Sequence, residues 1–190
     1  KPPRRLACLG VVAEPLELLG DPFLRVYILA KCLFLVGVDA FFLLRSYVLV
    51  AFGWEQGDFE QVLGLVGVMG FASIVCTPAL VQRWSTAGLV RRSCFLGVIA
   101  LTMLCLAPLG SAFCVASVLI GSLGFPGIVA DTSLIAERYP QAQGKAQALS
   151  LAVVKASSSI AHLVYPRLFR AKASGALQAL PFFVAAALAW

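Results

Sequence analysis

The chain has 190 residues, 61% of them apolar and 13% charged, with a mean hydropathy of +0.93 and a net charge of +6. A water-soluble domain carries about 25% charged residues, so this composition excludes a soluble globular domain. The basic surplus sits between apolar stretches, which argues against a nucleic-acid partner. A helix of about 20 apolar residues crosses a bilayer core, and the fold class expected is an all-α polytopic membrane protein with six transmembrane helices.

The chain opens with Lys1-Pro2-Pro3-Arg4-Arg5, a basic start without a starting Met or a cleavage site, so no signal peptide is read there. Residues 6–21 are apolar but broken by Glu14, Pro15 and Glu17. They read either as a cytosolic linker or as a half-amphipathic segment lying on the membrane. Six spans follow: 26–54, 61–81, 93–109, 112–136, 146–168 and 175–190. Each must satisfy its own backbone as a helix in hydrocarbon, and the absence of strand alternation argues against a barrel. The last span ends with the chain, and the expectation is a fragment of a longer protein.

Charge orients the spans. Lys1, Arg4, Arg5, Arg25, Arg83, Arg91, Arg92, Arg138 and Lys145 fall on one side of a six-helix zigzag, against Arg167, Arg170 and Lys172 on the other. Nine basic residues against three place the N-terminus in the cytosol. The six cysteines form no C-x-x-C pair and read as small buried residues, not as a zinc or disulfide framework. Gly64, Gly67 and Gly70 in the second span, and Gly121, Gly124 and Gly127 in the fourth, recur at spacings that let helices approach closely. No metal and no cofactor are expected.

Ionisable residues inside spans cost about 2.5–3.5 kcal/mol each on insertion scales, so they are the candidate functional groups. On an ideal helix with Lys31 at zero, Arg45 lies at about −40° and Asp39 at about +80°, a polar stripe on a helix whose opposite face is Leu, Val and Phe. The stripe suits a water-filled cavity; alternatively Lys31 and Arg45 snorkel to opposite interfaces. In the fifth span Lys155, Ser158, Ser159 and His162 share one face, and Pro166 marks a kink or the helix end. His162 reads as a proton relay or a hydrogen-bonded filler. Asp131 lies five residues after Pro126 and reads as a pathway acid, a cap, or a partner for a loop arginine.

Several motifs resemble the tetracycline-resistance-type and hippocampus-abundant-transcript-type members of the major facilitator superfamily. Phe52-Gly53-Trp54 through Gly64 and Gly70 is similar to their outer loop and eighth helix. Gly124-Phe125-Pro126-Gly127 resembles their tenth-helix Gly-x-Pro-Ala pattern, and Gln143-Gly144-Lys145-Ala146-Gln147 the Gln-Gly-x-x-Gln that opens the eleventh. Gln82-Arg83 to Arg91-Arg92 resembles a degenerate cytosolic gating loop in which Gln82 replaces the acid. The resemblance covers residues 51–166. It implies the C-terminal half of a twelve-helix transporter, with helices seven to twelve present and an N-terminal half of the same protein as partner.

The function expected is secondary active transport of a small solute by alternating access, coupled to protons. Asp39, Arg45, Lys155 and His162 would serve it, with Lys31 and Asp131 along the pathway. A central acid can exchange a proton as a cavity opens to either side, because burial favours its neutral form and hydration its charged form. The cationic surplus equally suits an anionic solute. A half-transporter without activity of its own is the alternative. An enzyme is not expected: His162 has no acid near it in sequence, and H-E-x-x-H does not occur.

Overall fold

A computed structural model of the chain describes residues 17–169 and 178–189. Its regular structure among those residues is helical throughout, the only open-chain form that satisfies every backbone group in lipid.

The first span runs Pro22–Phe52. Asp21 caps its start by accepting the Phe23 N–H at 2.9 Å, and Pro22 sits where a missing N–H costs nothing. Gly53, in the left-handed region at φ 65°, ends it. Between Pro22–Val38 and Leu44–Phe52 the helix tightens into a 3-10 segment, Asp39–Leu43.

The second span begins at Gln56, five residues before the expected start, because Glu55 and Asp58 form a reciprocal capping box. It continues to Val75, breaks at Cys76 and resumes as Thr77–Trp84. Pro78, in the first turn of the second piece, cannot continue an unbroken hydrogen-bond ladder.

The third span differs from expectation. It begins at Thr86, not Ser93, and the connection to the second span is the single residue Ser85. Ser85 takes a positive φ of 61°, and its hydroxyl accepts the Gly88 N–H at 3.3 Å, which is N-cap chemistry. Arg91 and Arg92 therefore lie within a helix. Arg83 lies in the last turn of the preceding one, and Arg92 stacks on the Trp84 ring at 4.0 Å.

The fourth span, Ser111–Arg138, is interrupted at residues 123–125, between Ser111–Ser122 and Pro126–Arg138. The fifth, Gln143–Leu168, is continuous, with Pro166 in its last turn.

Five helices among the described residues are long and apolar enough to cross a membrane, not six. The sixth expected span contributes a ten-residue helix, Leu180–Ala189, about 15 Å long against a core of about 30 Å. Residues 175–177 and 190 of that predicted span, and residues 1–16 of the predicted linker, lie outside the described part.

The third span is the hub of the packing. It lies against both pieces of the fourth span and against Leu180–Ala189, while the first span lies against the fifth and Leu180–Ala189. Tyr47 and Phe182 meet edge to face at 5.1 Å in a core that includes Leu43, Leu101, Leu104 and Tyr165. Gly37 lets the first span touch Leu180–Ala189 backbone to backbone: a Cβ there would stand 2.8 Å from the Ala185 carbonyl oxygen.

Of the glycines singled out by spacing, Gly127 presses on the Ser93 side chain, Gly124 on the Ser93 backbone, and Gly121 faces Ala100. Gly70 lies against the Phe125 ring, whereas Gly64 and Gly67 have nothing within 4 Å. The contrast predicts opposite outcomes. Gly67→Ala should leave the folded yield unchanged or raise stability by up to about 1 kcal/mol, the helix-propensity difference. Gly127→Leu should sharply lower the monodisperse fraction in detergent chromatography, because Ser93 already fills that space.

Candidate functional site

Two polar clusters occupy the interior of the helical spans. The first joins three of them. Lys31 and Tyr27 lie one turn apart on the first span, and both reach Asp131 of the fourth: the Tyr27 hydroxyl donates to Oδ1 and the Lys31 ammonium pairs with Oδ2. Lys31 also donates to Ser150 Oγ of the fifth span at 2.7 Å and to the Tyr27 hydroxyl oxygen at 3.3 Å. The Lys31 and Asp131 side chains are 14% and 17% exposed, so the pair is largely removed from solvent. Cys94 of the third span stands beside it. Asp131 thus pairs with an intramembrane lysine, not with a loop arginine, and Lys31 turns inward instead of snorkelling.

The second cluster lies deeper along the first span. Asp39 opens the 3-10 segment and faces Ser158 and His162 of the fifth span. His162 Nδ1–H donates to the Ser158 carbonyl oxygen at 2.7 Å, and the ring stacks on Phe42 at 4.2 Å with the planes 4° apart. The break itself is held from the fifth span. Carbonyls at a helix end lose their regular partners, and that of Val36 accepts the Tyr165 hydroxyl at 2.7 Å.

Arg45 and Lys155 join neither cluster. Both are exposed, as are Ser159 and His162, and neither forms an ion pair among the described residues. The single stripe expected from ideal helix geometry does not act as a unit: Lys31 turns to Asp131, Asp39 to Ser158, and Arg45 stays exposed. Among the described residues no three His, Cys, Asp or Glu side chains group as a metal-ion ligand set.

Tyr27 and Ser150 were not legible as site residues. The four-residue spacing of Tyr27 and Lys31 was an available signal, since it places both on one helix face. Ser150 offered none that separates it from an ordinary small residue.

Comparison with known proteins adds no relative: no family model matches the chain, and no curated protein or solved structure matches it.

A third set of contacts closes one end of the bundle. The Tyr139 hydroxyl donates to Asp21 Oδ2 at 2.6 Å, Thr86 donates to Glu137 Oε1 at 2.8 Å, and the Arg138 guanidinium lies over the Phe23 ring at 5.3 Å. The Tyr139 hydrogen bond, and then the Phe23 N–H, hold the Asp21 carboxyl below its ordinary value. Burial and the bond to Asp21 push the Tyr139 hydroxyl up to about 12.

A lowered carboxyl contributes stability above its unfolded value and loses it as pH falls through the folded one. A raised phenol contributes below its unfolded value and loses it as pH rises through about 12. The contact therefore persists across the neutral range. Tyr139→Phe should return the Asp21 titration toward the ordinary carboxylate value in infrared difference spectra and remove the acid-side loss of stability that this contact contributes.

Proposed function

We propose that this bundle is half of a secondary transporter of the major facilitator type, moving a small solute by alternating access with proton coupling. The observation that supports it is a matched pair of interruptions. The first span breaks at Asp39–Leu43 and the fourth at residues 123–125, each near the middle of its span. The two spans hold equivalent positions if the bundle is divided into two triplets. Interrupted helices at corresponding positions of two repeats mark the solute site in transporters built from internal repeats.

Asp39 and His162 lie near each other at the first interruption, each beside Ser158, and are the candidate proton-exchanging groups. The exposed side of the first and fifth spans, with Arg45, Lys155 and His162, closes against a second bundle, the N-terminal half of a longer protein. Rocking of the two bundles opens the site to either side.

The experiment is reconstitution of the complete protein in liposomes, with uptake of a panel of labelled solutes under an imposed proton gradient. Gradient-dependent uptake supports the proposal. The absence of flux for every solute, from protein that is folded and inserted, favours a half-protein without activity of its own.

The orientation proposed puts the Asp21, Ser85 and Tyr139 end in the cytosol. Cysteines introduced singly near Gly53 and Gly110 should react with an impermeant thiol reagent added outside cells, and those at Ser85 and Gln141 should react after permeabilisation alone.

A further inference from the structure

The first cluster leaves no ammonium donor free for an anionic solute. Both oxygens of Asp131 are engaged, by Tyr27 and Lys31, and the Lys31 ammonium has three acceptors: Asp131, Ser150 and Tyr27. The charges of Lys31 and Asp131 cancel locally. What remains for a solute is the exposed side of the first and fifth spans, and its charge is uneven. Lys155 and Arg45 form no ion pair among the described residues, and His162 and Ser159 lie between them along this side. The one acid there, Asp39, is turned toward Ser158 and His162.

Depth excludes the ordinary explanation for Lys155. It stands at the midpoint of the continuous 26-residue helix Gln143–Leu168, about 18 Å from either end at 1.5 Å per residue. A lysine chain of four methylenes cannot span that distance to a headgroup, so snorkelling does not account for an exposed ammonium at this level.

Arg45 lies one turn beyond Phe42, whose ring stacks on His162. Lys155 lies two turns to the other side of His162, so the two cations bracket a strip about 15 Å long. Ser159 donates its hydroxyl hydrogen to the Lys155 carbonyl at 2.9 Å and His162 its Nδ1–H to that of Ser158, so the two cations carry the attraction, and Phe42 supplies an aromatic wall.

We propose that this strip binds an anionic solute, through a carboxylate or phosphate group held by Lys155 or Arg45. The Lys31–Asp131 pair ties the spans together and takes no part in binding. The assignment rests on the transport reading above and names its substrate class.

The test reads the local potential and needs no knowledge of the solute. Ser159→Cys is introduced into the complete protein in phosphatidylcholine vesicles, with the unsubstituted protein as baseline for the native cysteines. It is then reacted separately with the anionic sulfonatoethyl and the cationic trimethylammonioethyl methanethiosulfonates. Relative to their ratio on a free thiol in solution, the anionic reagent should be favoured by about tenfold, the lower range for a focused field in a cleft. Adding Lys155→Gln and Arg45→Gln should return the ratio to the solution value.

A ratio equal to the solution value, or one favouring the cationic reagent, overturns the proposal. So does reaction with neither reagent, which would mean that lipid or protein covers the strip. Repeating the measurement with phosphatidylglycerol present separates the sources of anion: an unchanged ratio supports a free solute, and a collapsed ratio means that headgroups occupy the strip. Anion preference without flux in the liposome assay would retain this site and defeat the transport reading. Flux with no anion preference would do the reverse.

Discussion

Replacing Lys31 by Met should destabilise the bundle by about 3–5 kcal/mol, the cost of removing one member of a buried ion pair. The loss arises because Asp131 keeps its Tyr27 donor and its partial burial but loses its counterion. Asp131→Leu should cost a similar amount, by stranding the ammonium beside Ser150.

The double substitution Lys31→Met with Asp131→Leu should recover most of the stability, because an apolar pair of similar volume carries no desolvation penalty. Thermal unfolding followed by detergent size-exclusion chromatography distinguishes these outcomes. Equal loss in the single and double variants would mean that the residues act through packing and not through their charges.

The second large effect concerns transport. Asp39→Asn and Lys155→Ala should each reduce flux by tenfold or more, equivalent to about 1.4 kcal/mol, while leaving membrane expression intact. Asp39 is half-buried and touches the fifth span through Ser158. Lys155 is exposed, so its loss opens no cavity. Lys155→Arg should retain part of the flux if charge at mid-depth is what matters. Full flux in both Asp39→Asn and Lys155→Ala would remove these residues from the pathway.

The spans were legible because hydropathy alone decides which segments enter a bilayer, but their ends were not. Glu55 and Asp58, and Ser85 before Gly88, were visible in the sequence, yet the helices they start were expected five to seven residues later. Apolar content marks the lipid-embedded part of a helix and not its polar first turns.

The break at Asp39 was not legible. Val38-Asp39-Ala40-Phe41-Phe42 contains neither Gly nor Pro, and the irregularity is held by Tyr165, 129 residues away. The break in the fourth span carried a local signal in Gly124 and Pro126.

Lys31 and Asp131 were each identified as costly, but their pairing spans 100 residues, and one sequence gives no means of matching residues so far apart. The glycines show the same limit. Spacing gave the rows, whereas which row meets a neighbour depends on how each helix is turned: Gly127 meets Ser93, and Gly64 meets nothing.

The order of synthesis gives the first span's contacts a further meaning. It is made before the other spans described, yet the partners on those spans that make its polar groups tolerable come later: Asp131 and Ser150 for Lys31, Ser158 for Asp39, and Tyr165 for the Val36 carbonyl. While the ribosome is still working on the second and third spans, Lys31, Asp39 and Arg45 each weigh against lateral release into lipid by about 2.5–3.5 kcal/mol. The first span should thus be a reluctant entrant, held near the insertion machinery until the fifth emerges. Biogenesis of this bundle closes with its oldest helix among the last to settle.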